Sequence, residues 1–200
     1  MKLINLLLPS VCVGCENLGE PLCEDCFKSI QALPRRIHRG LSGWAFVDYS
    51  ATAVRLINCF KERGRTALLS RLCALTDGIE LPSDLVLVGL PSSLRNTRKR
   101  GFVPGVELAR GLALRHGVQH ADALRFERVL IDQAGLAKSE REKNLSCSMT
   151  ARPVAGRVWL VDDVVTTGAS IREAARAFED VGVKVDGFLA IAETLAKNDV

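Results

Sequence analysis

Two adjacent carboxylates, Asp162 and Asp163, follow four apolar residues and precede a Thr-Thr-Gly turn in the sequence. The apolar residues 158–161 predict a buried strand, and the pattern after the turn predicts a helix that opens at Ser170. In an open parallel sheet, ligands bind beyond the carboxyl ends of the strands, and a helix N-terminus offers unpaired N–H groups to an anion. The segment therefore predicts carboxylates for hydroxyls or a metal beside a cradle for an anion, which together suit a phosphorylated sugar.

Each residue of this segment has a predicted role. One carboxylate would bind two ribose hydroxyls, while the other reaches a hydroxyl or a hydrated Mg²⁺. Backbone N–H groups and side-chain hydroxyls would surround a 5′-phosphate, and Gly168 would permit its close approach. The alternative is an acidic turn followed by an ordinary helix cap at Ser170. The two aspartates are the catalytic candidates, and the predicted phosphate-binding residues are Asp162, Asp163, Val164, Val165, Thr166, Thr167, Gly168, Ala169 and Ser170.

Four of the seven cysteines form two Cys-x-x-Cys pairs near the amino terminus. Two residues between cysteines let a tight turn aim both sulfurs at one point, and two such turns supply the tetrahedral thiolates that zinc accepts. Because all four ligands are cysteines, we expect a structural zinc ion. A redox or disulfide pair and a four-iron cluster are the alternatives. The predicted metal ligands are Cys12, Cys15, Cys23 and Cys26.

Composition places the chain among ordinary globular proteins, with 200 residues of which 48% are hydrophobic and 25% charged. The net charge of +4 is weak support for a polyanionic partner. No apolar stretch approaches the length of a membrane span, and the short apolar start, which ends at Pro9, lacks the cleavage site of a signal peptide. The odd cysteine count also fits a reducing compartment, so we expect a cytoplasmic protein.

Strand and helix patterns alternate from Phe46 onward, which predicts an α/β fold with a doubly wound, mostly parallel sheet. Its sheet order is not readable from the sequence. Cys59 and Cys73 lie on apolar helix faces and are expected to be core residues. We expect a zinc-finger domain with a polar connector over residues 1–40 and the α/β domain over 41–200. The predicted strands are 85–90, 158–161 and 183–192, and the predicted helices include 106–116 and 170–182.

Residues 158–170 resemble the 5-phosphoribosyl 1-pyrophosphate (PRPP) signature of type I phosphoribosyltransferases. The chain as a whole resembles the ComF family of competence-related, phosphoribosyltransferase-like proteins. The chain departs from the family at two places. Val103 and Pro104 follow Arg-Gly-Phe where the family has Asn-Gln, and Ser170 replaces the usual Thr of the PRPP signature. The other matching blocks are Leu7-Leu-Pro9 with the cysteine pairs, Tyr49 to Arg55 with Lys61 and Gly64-Arg65, Arg98 to Phe102, and Gln133 to Leu136 with Arg141 and Asn144.

This resemblance implies a type I phosphoribosyltransferase-like sheet with an amino-terminal zinc finger, and a site for PRPP with Mg²⁺. It also implies a loop that binds pyrophosphate, with basic side chains that meet its charge. Without the resemblance, the basic residues of this region are a solvated loop. The residues implied in pyrophosphate binding are Pro91, Ser92, Ser93, Lys61, Arg98 and Arg100.

Three functions remain open from the sequence. The first is phosphoribosyl transfer to an unidentified acceptor with release of pyrophosphate. The second is a non-catalytic adaptor in DNA uptake, which binds PRPP or a nucleotide and whose basic finger contacts single-stranded DNA or partner proteins. The third is a zinc-stabilised fold whose ligand site has decayed. The sequence specifies neither the acceptor nor the oligomeric state.

Overall fold

The computed structural model describes residues 10–30, 32–48, 50–127 and 146–194. Several residues of the family-like blocks lie outside the described part, namely Leu7 to Pro9, Tyr49, Gln133 to Leu136, Arg141 and Asn144. The strands are β1 (Ser10–Val11), β2 (Leu18–Gly19), β3 (Arg35–His38), β4 (Ser42–Asp48), β5 (Leu85–Gly89), β6 (Gln119–His120), β7 (Leu124–Phe126), β8 (Met149–Ala151), β9 (Arg157–Val165) and β10 (Val185–Glu193).

Six of these strands form one sheet in the spatial order β3-β4-β10-β9-β5-β6. All neighbours run parallel except β3 and β4, which form an antiparallel pair at one edge. The predicted open, mostly parallel sheet is therefore confirmed. The carboxyl ends of β4, β10 and β9 lie side by side, since Glu193 is the register partner of both Asp48 and Val165.

The helices fall close to their predicted positions. Gly117, with a φ of 67°, ends the predicted helix after His116, whereas the helix predicted from Ser170 begins one residue earlier and is capped by Gly168. Within the described ranges, no helix has both the length and the apolar character needed to cross a bilayer. The helices are α1 (Glu24–Ser29), α2 (Ala51–Lys61), α3 (Leu69–Ala74, after a 3₁₀ turn at Thr66–Leu68), α4 (Leu94–Arg100), α5 (Pro104–His116) and α6 (Ala169–Glu179).

Helices cover both faces of the sheet. One apolar cluster joins α2, α3 and α5 to the strands, and a second joins α6 to the opposite face. Burial on both faces explains why β5 is a continuous apolar run rather than an alternating one. Cys59 and Cys73 are 8% and 3% exposed in the first cluster, as expected for core residues.

Strand β9 is longer than predicted. It continues through Asp162 and Asp163 to Val165, because backbone pairing with β10 extends to the end of both strands. The aspartates therefore belong to the strand itself and do not lie just beyond it.

The segment interpreted as a polar connector, residues 34–40, contains strand β3. Its side chains alternate between half-buried and exposed, with Arg35 and Ile37 on the half-buried side. A polar edge strand of this kind lacks the apolar run that identified the central strands. The result is that a hairpin, β3–β4, lies beside the carboxyl ends of β10 and β9.

Strand β5 and helix α5 are in direct backbone contact. A Cβ atom on Gly89 would lie 2.3 Å from the carbonyl oxygen of Gly105, and one on Gly105 would lie 2.6 Å from the carbonyl oxygen of Leu90. Only glycine fits at both positions. Pro104 is buried as the first residue of α5, where proline is favoured, so the Val103-Pro104 departure has a structural role.

The buried carboxylate of Glu173, in α6, binds the backbone at the start of β8 and so connects the antiparallel pair β7–β8 to α6. Glu173 is 6% exposed and accepts hydrogen bonds from the backbone N–H groups of Cys147, Ser148 and Met149 at 3.2, 2.8 and 3.0 Å. Arg176 donates to the same carboxylate at 2.9 and 2.8 Å. Burial alone would raise the pKa of Glu173, but these donors outweigh it and hold the pKa below its ordinary value.

Candidate functional site

Asp163 forms a buried ion pair with Lys61, the last residue of α2. The Lys61 Nζ donates to Asp163 Oδ1 at 3.0 Å and lies 2.8 Å from Oδ2, and the carboxylate is almost fully buried. Burial would lower the pKa of Lys61, but the charges of Asp163 and Asp162 raise it above its ordinary value. The resemblance implied that Lys61 meets pyrophosphate; in the structure it pairs with one member of the acidic pair.

Asp162 and Asp163 point to opposite sides of β9, since successive side chains of a strand alternate. Asp162 accepts a hydrogen bond from the backbone N–H of Asp163 at 2.9 Å. Burial and the neighbouring Asp163 charge raise the pKa of Asp162 to about 8, although Lys61 opposes this shift. The carboxyl group of Asp162 therefore takes up a proton more readily than an exposed aspartate does.

The Arg-Gly-Phe segment closes over the carboxyl end of α2. Arg100, whose side chain is 8% exposed, donates from Nε to Glu62 Oε2 at 3.3 Å and also contacts Oε1. Phe102 packs edge-to-face on Phe60, with 5.4 Å between ring centroids. The structure thus brings Arg100 next to Lys61, two of the three cations expected at pyrophosphate, while Arg98 is exposed on α4.

Residues 91–93, the predicted pyrophosphate loop, leave the sheet beside the acidic pair. The backbone N–H of Leu90 donates to the carbonyl oxygen of Val161 at 2.9 Å, one residue before Asp162. Ser93 then caps α4 by accepting from the N–H of Asn96 at 3.3 Å. The loop and the aspartates therefore occupy neighbouring positions at the same edge of the sheet.

The Thr-Thr-Gly turn forms the amino-terminal end of α6. Gly168 is buried with a φ of 75° and caps the helix, so the alternative of an ordinary cap at Ser170 is wrong. The N–H of Ala169 donates to Thr167 Oγ1 at 3.4 Å. Backbone N–H groups in the first turn of a helix have no intrahelical partner, which leaves this turn suited to an anion.

Sequence reasoning missed a group of charges beside this turn. Glu193, at the end of β10, is 4% exposed and pairs with Arg35 at 3.3 Å and with Arg39 at 2.5 Å. Arg35 also contacts Asp48. Residues 34–40 were interpreted as a connector because they are polar, and a single apolar residue, Ile37, is too weak a signal to predict a strand.

The four predicted metal ligands meet at one point. Their sulfur atoms all lie within 4.8 Å of one another, and the four thiols are free. Cys12 Sγ accepts from the N–H groups of Gly14 and Cys23 at 3.4 and 3.3 Å; these bonds outweigh the effect of burial and lower the pKa of Cys12 to about 6. A Cβ on Gly14 would lie 2.6 Å from Cys26 Sγ. This donor set fits a metal ion such as zinc.

The cysteine-rich unit packs against the α/β domain and is acidic. Cys12, Val13, Leu22 and Ile30 belong to the same apolar cluster as α2 and α3. Arg71 of α3 pairs with Glu20 and Glu24 at 3.0 and 2.8 Å and lies over the ring of Phe27. Four acidic side chains and one lysine occur between residues 10 and 30, at Glu16, Glu20, Glu24, Asp25 and Lys28.

Comparison with known proteins gives fold-level similarities. The sequence matches no protein-family profile and no curated protein. A structure of adenine phosphoribosyltransferase is 18% identical, with 84% of this chain and 89% of that chain aligned and a TM-score of 0.40. Orotate phosphoribosyltransferase from Aeropyrum pernix is 21% identical, with 84% and 80% aligned and a TM-score of 0.40.

An allosteric regulatory enzyme of purine biosynthesis is 16% identical over 62% of this chain, with a TM-score of 0.38. The aligned part of this chain spans 24% of that enzyme's length.

Proposed function

We propose that this protein binds PRPP with Mg²⁺ at the carboxyl edge of β9 and transfers its phosphoribosyl group with release of pyrophosphate. The observation that carries the proposal is the Lys61–Asp163 pair, with contacts of 3.0 and 2.8 Å, in a strand that runs directly into the Gly168-capped helix α6. Acidic side chains, a buried cation and an anion-binding turn are thereby gathered within one strand–turn–helix unit.

The arrangement assigns each part of the ligand to a different element. The 5′-phosphate would lie on the turn at residues 166–170, where N–H groups and hydroxyls are available. The carboxylates of Asp162 and Asp163 would orient the ribose hydroxyls. Lys61 and Arg100 would face the pyrophosphate, together with the neighbouring loop at residues 91–93.

In the reaction, the bond between C1 of the ribose and the pyrophosphate oxygen breaks, and a bond to the acceptor forms. The sugar acquires oxocarbenium character, which the negative potential of Asp162 and Asp163 would stabilise. Because the two side chains lie on opposite sides of β9, one carboxylate would bind a hydrated Mg²⁺ held together with PRPP, and this ion would offset the charge of the leaving pyrophosphate. Lys61 would exchange its contact with Asp163 for one with pyrophosphate.

A second candidate is a non-catalytic, cytoplasmic adaptor of the ComF type, which binds PRPP or a nucleotide and contacts single-stranded DNA or DNA-uptake proteins. The exposed cations Arg98 and Lys99 on α4 favour this candidate. The cysteine-rich unit does not favour it, because residues 10–30 carry four acidic side chains and one lysine. Arg35 is engaged by carboxylates and Arg36 lies over the ring of Trp44, at 5.1 Å, so α4 is the better surface for a polyanion.

Calorimetry with PRPP and Mg²⁺, followed by a pyrophosphate-release assay with a panel of bases and amines, tests both candidates. We expect wild-type protein to bind PRPP and the Asp162→Asn/Asp163→Asn variant to lose binding while keeping its metal content and fold. Binding without release across the panel would favour the adaptor. Retained affinity in the double variant, or no binding by the wild type, would overturn the proposed site.

A further inference from the structure

The turn that follows β9 is held from outside by Arg172, a residue with no role in the proposed reaction. Arg172 lies in the first turn of α6, and its Nη1 donates to the carbonyl oxygen of Thr167 at 2.8 Å. The same Nη1 reaches the carbonyl oxygen of Arg39, in the β3–β4 hairpin, at 3.5 Å. One guanidinium therefore joins the turn to the hairpin.

This contact determines which way one peptide group faces. A trans peptide is planar, so its C=O and N–H bonds point in opposite directions. Because the Thr167 carbonyl points at Arg172, the N–H of Gly168 points away from the guanidinium. Gly168 has a φ of 75°, in the left-handed region, so the peptide orientation is set where glycine leaves the backbone most free.

Two glycines leave the space that Arg172 needs to reach the carbonyl oxygens of Thr167 and Arg39. Gly40, with a φ of 85°, lies beneath the side chain of Arg172, and a Cβ there would be 2.5 Å from Arg172 Cδ. A Cβ on Gly168 would lie 2.3 Å from the carbonyl oxygen of Arg39. Arg39 is in turn held by Glu193, the register partner of Val165 at the end of β9.

We infer that Arg172 is a positioning residue, which presets the N–H groups of residues 168–171 for a phosphate monoester. The ligand's identity rests on the proposed function; the ordering of the turn does not. The β3–β4 hairpin contributes to this positioning, because Gly40 leaves room for the Arg172 side chain to reach Thr167. Arg172 acts through the backbone of the turn and does not touch the reacting atoms.

Four variants test this inference: Arg172→Met, Arg172→Lys, Gly40→Ala and, as a matched control for loss of charge, Lys184→Met at an exposed position. Two quantities are measured, the amide hydrogen-exchange rate of residues 167–171 in ligand-free protein and the Kd for PRPP with Mg²⁺. Thermal melting monitors the global fold. A lysine at position 172 retains one donor for the Thr167 carbonyl and is the rescue variant.

We expect Arg172→Met and Gly40→Ala to accelerate exchange in the turn and to weaken PRPP binding about tenfold, with Arg172→Lys intermediate and Lys184→Met unchanged. Unchanged exchange in Arg172→Met would overturn the inference, whatever the wild type binds. Equal weakening by Lys184→Met would also overturn it, since net charge would then suffice. If Arg172→Met exchanges faster but the wild type binds no PRPP, the positioning role is supported and only the proposed function is overturned.

Discussion

Lys61 and Asp163, 102 positions apart in sequence, form a buried ion pair in which the ammonium nitrogen lies 3.0 and 2.8 Å from the two carboxylate oxygens. The pair connects the carboxyl end of α2 to the centre of the sheet. It also gives the acidic motif a counter-ion from within the protein.

We expect Lys61→Met to destabilise the protein by about 3 kcal/mol, because it leaves the Asp163 carboxylate buried without its cation. Urea denaturation measures the change. Lys99→Met is the control: Lys99 is exposed and lies 3.9 Å from Glu62, so its loss should cost under about 0.5 kcal/mol. The Lys61→Met/Asp163→Asn variant should recover part of the loss. Equal costs for Lys61→Met and Lys99→Met would contradict the buried pair.

The raised pKa of Asp162 predicts how stability changes with pH. In the native protein the pKa is about 8, against an ordinary value of 3.8, so between these values the native state binds a proton that the unfolded chain releases. Stability should therefore fall as pH rises from about 4 to 8 and level off above that range. Asp162→Asn should flatten this slope in denaturation curves taken across the range, whereas Asp25→Asn on the exposed finger should not. A slope unchanged in Asp162→Asn would refute the assignment.

Arg71 should stabilise the packing of the cysteine-rich unit (residues 10–30) against the α/β domain. Arg71→Ala removes two ion pairs and the stacking on Phe27, with an expected cost of about 1 kcal/mol, since both carboxylates are more than half exposed. If the four sulfurs hold a metal as proposed, chelation should unfold the cysteine-rich unit first and then lower the Tm of the rest through their shared core. Limited proteolysis between residues 10 and 40 reports detachment. Arg71→Lys, which cannot bridge both carboxylates, should be intermediate. A Tm insensitive to chelation would contradict the shared core.

Glu173→Gln tests the anchor of β7–β8. The amide loses the charged bonds to Arg176 and the backbone N–H groups, so we expect a destabilisation of about 2 kcal/mol at neutral pH. Because the pKa of Glu173 lies below its ordinary 4.5, its contribution is complete above that value and disappears as pH falls through the lowered pKa. The two proteins should therefore converge in acid. Glu179→Gln, exposed at the end of α6, serves as the control and should show no pH-dependent difference.

The sequence was sufficient for the parts of the fold that depend on local pattern. The apolar runs identified β5 and the first half of β9, because strands buried on both faces are continuously apolar. Gly117 marked the end of α5, because a left-handed helix terminus favours glycine. The acidic pair and the turn proposed to bind phosphate could be singled out for the same reason: their residues are contiguous in the chain.

The missed features depend on contacts between distant segments. Nothing near Lys61 in sequence indicates Asp163, and nothing near Arg39 indicates Glu193 or Gly168. Strand β3 was missed because it is polar, and the carboxylates that pair with its Arg35 come from the distant residues Asp48 of β4 and Glu193 of β10. The helix predicted from Ser170 begins one residue earlier, at Ala169, because Gly168 caps it with a left-handed φ of 75°.

The backbone contact between Gly89 and Gly105 has a consequence for how this protein can vary. The intervening chain, with the loop at residues 91–93 and the basic helix α4, leaves and rejoins the framework at almost one point. Lengthening or replacing such an excursion changes the entropy of loop closure only slowly with length and leaves the strands in place. Residues 91–99 should therefore tolerate changes in length and sequence, provided that both glycines are kept together with Arg100 and Phe102, which pack on the end of α2.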